Sequence, residues 1–152
     1  GTTMHGLQLR GSAERERTRT SYYAPGSAVG QVLQAAPQLY GPAARIGAVG
    51  LGTGTLSCYA RPGQRWTYYE IDPVVVEIAR DPERFTFLSR CLPDVPVVLG
   101  DARLSLAQQA RGSKDVLVID AFTSDAVPMH LLTREAFALY RRVLRPDGLL
   151  LV

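Results

Sequence analysis

Cysteine and histidine are scarce in this sequence, and their scarcity argues against a metal centre. The two cysteines, Cys58 and Cys91, lack the C-x-x-C spacing of a zinc cluster. The two histidines, His5 and His130, each stand alone in the sequence. The cysteines could pair as a disulfide, but no secretion signal is visible, and this favours two reduced thiols in a cytosolic protein.

Long apolar runs and unopposed positive charge are also missing. No stretch approaches eighteen consecutive apolar residues, so no transmembrane helix is predicted. The net charge is only +3, and Lys114 is the single lysine among 17 basic residues. Between residues 14 and 19 arginines alternate with glutamates, whereas a nucleic-acid footprint needs clustered positive charge. A nucleic-acid partner is therefore not predicted.

What is present is the composition of one globular domain. The chain has 152 residues, of which 46% are hydrophobic and 20% charged. Residues 1–30, rich in Gly, Ser, Thr and Arg, are predicted to form an N-terminal hairpin or arm, and residues 31–152 the main domain. The chain begins at Gly1 without methionine and ends inside a predicted strand, so we expect a truncated domain from a longer protein.

Strands and helices are predicted to alternate from Arg45 onward. Short apolar or aromatic runs indicate five strands, at Arg45–Gly50, Trp66–Ile71, Val95–Leu99, Asp115–Ile119 and Leu149–Val152. Helical patterns lie between them, at Leu56–Ala60, Pro73–Arg80, Ala102–Ala110 and Leu131–Leu144. Such alternation predicts an α/β fold of the Rossmann-like, doubly wound kind, with a mainly parallel sheet covered on both faces.

A glycine-rich loop follows the first strand. Gly50, Gly52 and Gly54 alternate with other residues, and Thr55 stands where a dinucleotide fingerprint would have its third glycine. This spacing fits the nucleoside loop of S-adenosylmethionine-type proteins better than a site for NAD. Without its context, the loop could equally be a tight strand-to-helix turn.

Acidic residues end three successive predicted strands. Glu70 ends the second strand, Asp101 the third and Asp120 the fourth, with Asp72 and Asp125 close by. Each could be a helix cap, a turn former or a solvated strand end. Together they reach the edge of an open α/β sheet at which ligands bind. Close carboxylates repel one another unless a cation is bound, and a sulfonium nucleoside with a protonated amine would fit.

These motifs resemble spermidine synthase and its relatives. The resemblance rests on the glycine loop, on Tyr69-Glu70-Ile71-Asp72-Pro73, on Gly100-Asp101-Ala102 and on Val118-Ile119-Asp120. The N-terminal His5-Gly6-Leu7-Gln8 and Ser21-Tyr22-Tyr23 also look like segments of that family. The resemblance covers nearly the whole chain.

The resemblance implies aminopropyl transfer from decarboxylated S-adenosylmethionine to a diamine, in polyamine biosynthesis. The donor would be a co-substrate, and no tightly bound cofactor or metal is expected. If the roles of the matching family residues apply here, Asp120 would deprotonate the attacking amine and Asp125 would help to hold it. Gln8 and Tyr23 would lie on the acceptor side. The nucleoside would be held by the remaining motif residues, namely Gly50, Gly52, Thr53, Gly54, Glu70, Asp101 and Ala102.

Two alternatives stay open, because the residues that would hold and activate the amine differ from those of the family. The family has an aspartate where this loop has Thr53, and its two catalytic aspartates lie three apart, whereas Asp120 and Asp125 lie five apart. The chain could therefore be a methyltransferase that uses S-adenosylmethionine itself, or a non-catalytic nucleoside-binding domain. A homodimer and a membrane domain elsewhere in a longer chain are both compatible with the sequence. The predicted location is the cytoplasm, or the cytosolic side of a membrane protein.

Overall fold

The computed structural model describes residues 23–121 and 127–152. Their core is a five-stranded parallel sheet in the order β3-β2-β1-β4-β5. The strands are β1 (Arg45–Val49), β2 (Arg65–Glu70), β3 (Val97–Leu99), β4 (Lys114–Ile119) and β5 (Leu144–Leu151). The α-helices are α1 (Ala28–Tyr40), α2 (Pro73–Arg80), α3 (Phe87–Cys91), α4 (Ala102–Ala107) and α5 (Arg134–Val143). Short 3-10 helices span Thr55–Tyr59 and Met129–Leu131.

Hydrophobic side chains cover both faces of the sheet. One cluster joins alternate residues of β4, Val116 and Val118, to residues of α1, α2 and α3. The other joins Leu117 and Ile119 to residues of α4 and α5. Successive residues of β4 thus point to opposite layers, as expected of a strand buried on both sides. The predicted Rossmann-like α/β fold is confirmed.

Polar caps define several of the helices. Asp72 caps α2 by accepting a hydrogen bond from the backbone N–H of Val74 (2.9 Å), with Pro73 in the first helical position. This helix spans the residues predicted from the sequence. Thr133 caps α5, as its residue type and the following Glu135 indicate, and the residues before it, Met129–Leu131, form a separate 3-10 turn rather than the start of this helix.

Three features were not predicted correctly. Helix α1 was missed because Pro37 lies inside it, although Ser27 caps its start and Gly41 ends it. The helix predicted at Leu56–Ala60 is a 3-10 helix, Thr55–Tyr59, since Pro62 follows too closely for a longer one. Helix α3 was also missed.

The last strand and two element ends also differ from the prediction. Strand β5 begins at Leu144 rather than Leu149, with an irregularity in its pairing opposite Lys114 and Val116. The four residues between Leu144 and Leu149 are taken up by this irregularity. Strand β3 begins at Val97 and helix α4 ends at Ala107, so both are shorter than predicted.

The two cysteines are not reduced, contrary to the preferred prediction. Cys58 and Cys91 form a disulfide, with their Cα atoms 5.0 Å apart. The bond links the 3-10 helix that follows the glycine loop to α3. The sequence alone could not place these two segments side by side, because 33 residues separate the cysteines.

None of the helices in residues 23–121 and 127–152 combines the length and the apolar character that a membrane crossing needs. Of the predicted N-terminal arm, residues 1–22 lie outside the described residues. Helix α1 runs across the predicted boundary at residue 30.

Candidate functional site

The glycine loop lies directly against the end of β4. Gly50 has a φ of 95°, and a Cβ atom there would lie 2.6 Å from the backbone oxygen of Asp120. Gly54 also has a positive φ, and a Cβ atom there would lie 3.0 Å from Leu88. Glycine is therefore required at both positions by conformation and by space. The absence of a side chain at Gly50 thus lets the loop pack directly against the backbone of Asp120.

Glu70 holds the same loop through its carboxylate. One oxygen accepts a hydrogen bond from the backbone N–H of Leu51 (2.9 Å), and the other accepts one from the N–H of Asp72 (2.9 Å). The residue is 8% exposed. A carboxylate has about four acceptor positions, so two remain for a ligand after these bonds. Glu70 thus fixes the loop and could also accept hydrogen bonds from ribose hydroxyls.

A small pocket opens between the ends of β1, β2 and β3. Gly50, Glu70, Ile71, Asp101, Ala102 and Leu131 are among the residues that line it. Asp101 caps α4 with one carboxylate oxygen, which accepts from the N–H of Arg103 (2.8 Å). Its second oxygen accepts no hydrogen bond from the described residues. The pocket has a volume of only about 70 Å³, and it combines apolar walls with two carboxylates that can accept hydrogen bonds from part of a ligand.

Asp120 is the most perturbed acid of the described residues. Burial raises its pKa to about 7, and a side-chain hydrogen bond from Tyr23 partly opposes this rise. Tyr23 is itself buried, and its backbone oxygen accepts a hydrogen bond from the hydroxyl of Tyr59. Tyr59 belongs to the 3-10 helix after the glycine loop, so the same segment supports both the loop and the partner of Asp120.

Two aminopropyltransferases are similar to this chain in sequence. A polyamine aminopropyltransferase from Vibrio vulnificus is 36% identical over 111 residues, which are 70% of this chain and 36% of that protein. A probable polyamine aminopropyl transferase from Bifidobacterium longum is 32% identical over 124 residues, 78% of this chain and 26% of that protein. The chain is related to the polyamine aminopropyltransferases. It spans about a third of the length of these relatives or less.

The fold of this aminopropyltransferase-like chain also matches a solved structure. A probable spermidine synthase from Corynebacterium glutamicum superposes with a TM-score of 0.72 at 22% identity, over 94% of this chain and 51% of that one. At this identity the likeness shows the fold alone. No protein-family profile matches the chain. The family resemblance predicted from the sequence is confirmed by the sequence relatives.

The aminopropyltransferase-like chain brings most of its predicted site residues to one edge of the sheet. Gly50, Glu70, Asp101 and Ala102 line the pocket. Asp120 and Tyr23 are not in that lining, but the backbone of Asp120 packs against Gly50. Gly52, Thr53 and Gly54 belong to the loop but are not in that lining, and the hydroxyl of Thr53 bonds that of Thr55 (2.6 Å). Gln8 and Asp125 lie outside the described residues.

Tyr69 and His130 also line the pocket, and sequence reasoning did not place them there. The Tyr69 hydroxyl is buried without a hydrogen-bond partner among the described residues, and burial raises the pKa of Tyr69 to about 12. The signal was available for Tyr69, because it precedes Glu70 at the end of a strand. His130 follows β4 by eleven residues, too far for the motif spacing to place it. In the part of the chain described, no group of three or more metal-ligating side chains could hold a metal ion.

Proposed function

We propose that this chain is the nucleoside-binding and catalytic part of an aminopropyltransferase. Its donor would be decarboxylated S-adenosylmethionine and its acceptor a small polyamine. The observation that carries the proposal is Asp120, whose buried carboxyl has a raised pKa and whose backbone packs against Gly50 of the glycine loop. Homology to proteins named polyamine aminopropyltransferases supports it.

The donor is held by its nucleoside in this proposal. The carboxylate of Glu70 has two acceptor positions besides those bound by backbone N–H groups, and these accept hydrogen bonds from the ribose hydroxyls. The second carboxylate oxygen of Asp101 accepts from the adenine amino group. Ile71, which is 67% exposed, and Leu131 supply apolar contacts to the base from the walls of the pocket. An adenosine derivative would cover the exposed apolar surface with its base and would donate hydrogen bonds to the carboxylates of Glu70 and Asp101.

Asp120 acts as the general base in the transfer. An amine is protonated at neutral pH and cannot attack carbon until it loses that proton. A base works best when its pKa is close to the operating pH, and the pKa of Asp120 is about 7. Asp120 directly follows the end of β4, and its backbone packs against the loop that would hold the donor.

The bond changes of the reaction balance without a further reactant. The amine nitrogen forms a bond to the methylene carbon next to the sulfonium sulfur, while the bond between that carbon and sulfur breaks. The electron pair goes to sulfur, which becomes the neutral thioether of methylthioadenosine. The proton of the attacking amine goes to Asp120. The positive charge of the sulfonium thereby passes to the nitrogen of the new secondary amine, while Asp120 carries the proton that the attacking amine gave up.

Two measurements test this function directly. Thermal shift should rank decarboxylated S-adenosylmethionine and methylthioadenosine above S-adenosylmethionine and S-adenosylhomocysteine. Mass spectrometry of a mixture with the decarboxylated donor and putrescine should detect methylthioadenosine and the aminopropylated amine in equal amounts. Binding without product would instead indicate a non-catalytic nucleoside-binding domain.

Methyl transfer from S-adenosylmethionine is the second candidate, and Thr53 favours it. The side chain of Thr53 carries no charge, and its hydroxyl is bonded to that of Thr55. The loop from Gly50 to Gly54 therefore offers no carboxylate to an amine on the donor, and the carboxylate of S-adenosylmethionine would meet no acid there. A reversed ranking in the thermal-shift series would support this candidate.

The cytoplasmic location remains a prediction, and the Cys58–Cys91 disulfide bears on it. Disulfides persist in oxidising compartments and are rare in the cytosol. Trapping of free thiols with a maleimide in intact cells would report the state of the pair. The homodimer and the membrane domain in a longer chain likewise remain predictions.

A further inference from the structure

The backbone next to Tyr23 is fixed to the first two turns of α1. The hydroxyl of Ser27, which also caps this helix, donates a hydrogen bond to the backbone oxygen of Ala24 (2.7 Å), and the Ser27 N–H donates to the same oxygen (2.9 Å). Further along the helix, the side-chain amide of Gln34 donates to the backbone oxygen of Pro25 (2.9 Å). The residues that follow Tyr23 therefore cannot move without breaking contacts with α1.

Gly30 lies in the first turn of α1 and gives these contacts their space. It is buried, and a Cβ atom there would collide with the backbone oxygen of Ala24 and lie 2.7 Å from the hydroxyl oxygen of Tyr59. Its φ is not positive, and alanine favours a helix more than glycine does. Gly30 is therefore required by space and not by its conformation.

The hydroxyl of Tyr59 occupies part of the space that Gly30 leaves. It donates a hydrogen bond to the backbone oxygen of Tyr23, and the Tyr59 side chain is buried in the core. A side chain at position 30 would displace this hydroxyl as well as the backbone of Ala24. The absence of a side chain at Gly30 thus lets the 3-10 helix after the glycine loop and α1 hold the backbone of Tyr23 together.

Two phenols of the described residues interact with Asp120. The hydroxyl of Tyr23 donates a hydrogen bond to its carboxylate. Tyr68 on β2 is fully buried, and its hydroxyl is hydrogen-bonded to that of Ser57 (2.8 Å). Burial raises the pKa of Tyr68, so Tyr68 stays uncharged while Asp120 titrates. A change in the position of Tyr23 therefore acts on Asp120 through one hydrogen bond.

We propose that Gly30 is a positioning residue of the transferase site, because the space it leaves lets Tyr59 and α1 hold Tyr23 against Asp120. The inference rests on the proposed role of Asp120 as the general base. Gly30 is not in the lining of the nucleoside pocket, and it acts through Tyr23. A side chain at position 30 would weaken the phenol hydrogen bond, which favours the charged form of the carboxylate.

The pKa of Asp120 can be measured without turnover. Titration of the side-chain carboxyl carbons by ¹³C NMR reports it, with Asp120→Asn to assign the signal. We expect Gly30→Ala to raise this pKa by about 0.5–1 pH unit, the size expected for the loss of one hydrogen bond. In a Tyr23→Phe protein the same substitution should add no more than about 0.2 pH unit, because the hydrogen bond is already absent.

Gly26→Ala is the matched control. Gly26 is exposed, a Cβ atom there would meet nothing within 4 Å, and the pKa of Asp120 should stay at the wild-type value. If Gly30→Ala does not fold, Tyr59→Phe decides instead, since it removes the hydrogen bond to Tyr23 and should also raise the pKa. An unchanged or lowered pKa in the deciding variant overturns the inference, as does an equal rise with and without the Tyr23 hydroxyl.

The pH dependence of kcat/KM separates this inference from the proposed function. If Asp120 is the base, the midpoint of the profile should move with the NMR pKa in Gly30→Ala. A raised NMR pKa with an unmoved midpoint would contradict Asp120 as the base and would still support the positioning of Tyr23 by Gly30. A lower stability of Gly30→Ala with an unchanged NMR pKa would show that Gly30 serves packing alone and would overturn the inference.

Discussion

The hydroxyl of Tyr23 donates a hydrogen bond to the carboxylate of Asp120. Tyr23 is only 4% exposed, and the Tyr59 hydroxyl holds its backbone oxygen. The acid at the end of β4 is therefore positioned by the segment before α1 and by the 3-10 helix after the glycine loop. Because burial sets the pKa of Asp120 near 7 and Tyr23 opposes the rise, this contact tunes the proposed base.

Asp120→Asn should abolish most of the proposed transfer. The amide keeps the shape but accepts no proton, so we expect a loss of about 10²- to 10⁴-fold in kcat. In wild type, kcat/KM should rise with pH through an ionisation near 7, the pKa of Asp120 in the free protein. The residual activity of the variant should lack that ionisation. Steady-state rates measured between pH 5 and 9 give both quantities.

A matched control for this variant is Glu77→Gln, an exposed acid on α2. Its rate and pH profile should equal those of wild type. Affinity for methylthioadenosine should change less than threefold in both variants, since Glu70 and Asp101 would hold the nucleoside. Full turnover in Asp120→Asn would mean that another group is the base.

The stability of Asp120→Asn should differ from wild type in one pH range. The native pKa of about 7 lies above the unfolded value of 3.8, so the native state binds the proton more tightly. The contribution of Asp120 to stability is therefore highest below pH 4 and is lost as pH rises to 7. We expect the variant to be more stable than wild type at pH 8, by about 1–4 kcal/mol, since one pKa unit equals about 1.4 kcal/mol.

Urea unfolding of both proteins at pH 4 and pH 8 measures this difference. The comparison between variant and wild type cancels the other titrating groups. A difference of the same size at both pH values would show that the pKa of Asp120 is not raised in the native state.

Tyr23→Phe should move the ionisation of Asp120 upward. The phenol hydrogen bond favours the charged carboxylate, so its removal leaves the effect of burial unopposed. The midpoint of the kcat/KM profile should rise by about 0.5–1 pH unit, a typical value for one hydrogen bond of about 1 kcal/mol. A lower plateau rate with an unchanged midpoint would instead place Tyr23 at the acceptor, as the sequence predicted.

Glu70→Ala should weaken nucleoside binding and destabilise the fold together. It leaves the N–H groups of Leu51 and Asp72 without their acceptors, and each lost bond in a buried site contributes about 1–3 kcal/mol. We expect at least a hundredfold loss of methylthioadenosine affinity by calorimetry. Glu77→Ala is the control for a missing carboxylate. Unchanged affinity in a folded Glu70→Ala protein would exclude Glu70 as a ribose ligand.

Local sequence signals predicted the elements that position the site. Asp72 with Pro73 marked the start of α2, and the glycine loop marked the end of β1, because caps and glycines act within a few residues. The parallel-sheet pattern alone predicted that the acids at the ends of β2, β3 and β4 lie at one edge of the sheet. Their convergence needs only the strand order of an open α/β sheet.

Contacts between distant segments could not be predicted in this way. The Tyr23–Asp120 hydrogen bond spans almost a hundred residues, and nothing near either residue signals it. The same holds for the close approach of the Lys114 side chain to Gly47 of the neighbouring strand β1. Helix α1 was missed for the opposite reason, since the local signal of Pro37 is misleading when tertiary packing supports the helix.

The Cys58–Cys91 disulfide should contribute to stability far more than to nucleoside binding. A crosslink between residues 33 apart restricts the unfolded chain, and loop entropy predicts about 3–4 kcal/mol for that separation. The glycine loop is held independently by Glu70 and by the contact of Gly54 with Leu88. We therefore expect the double variant Cys58→Ser, Cys91→Ser to unfold at lower urea and to bind methylthioadenosine within threefold of wild type. Reductant should lower the stability of wild type to that of the variant and leave the variant unchanged. If reductant has no effect on wild type, the two thiols are not paired in the protein.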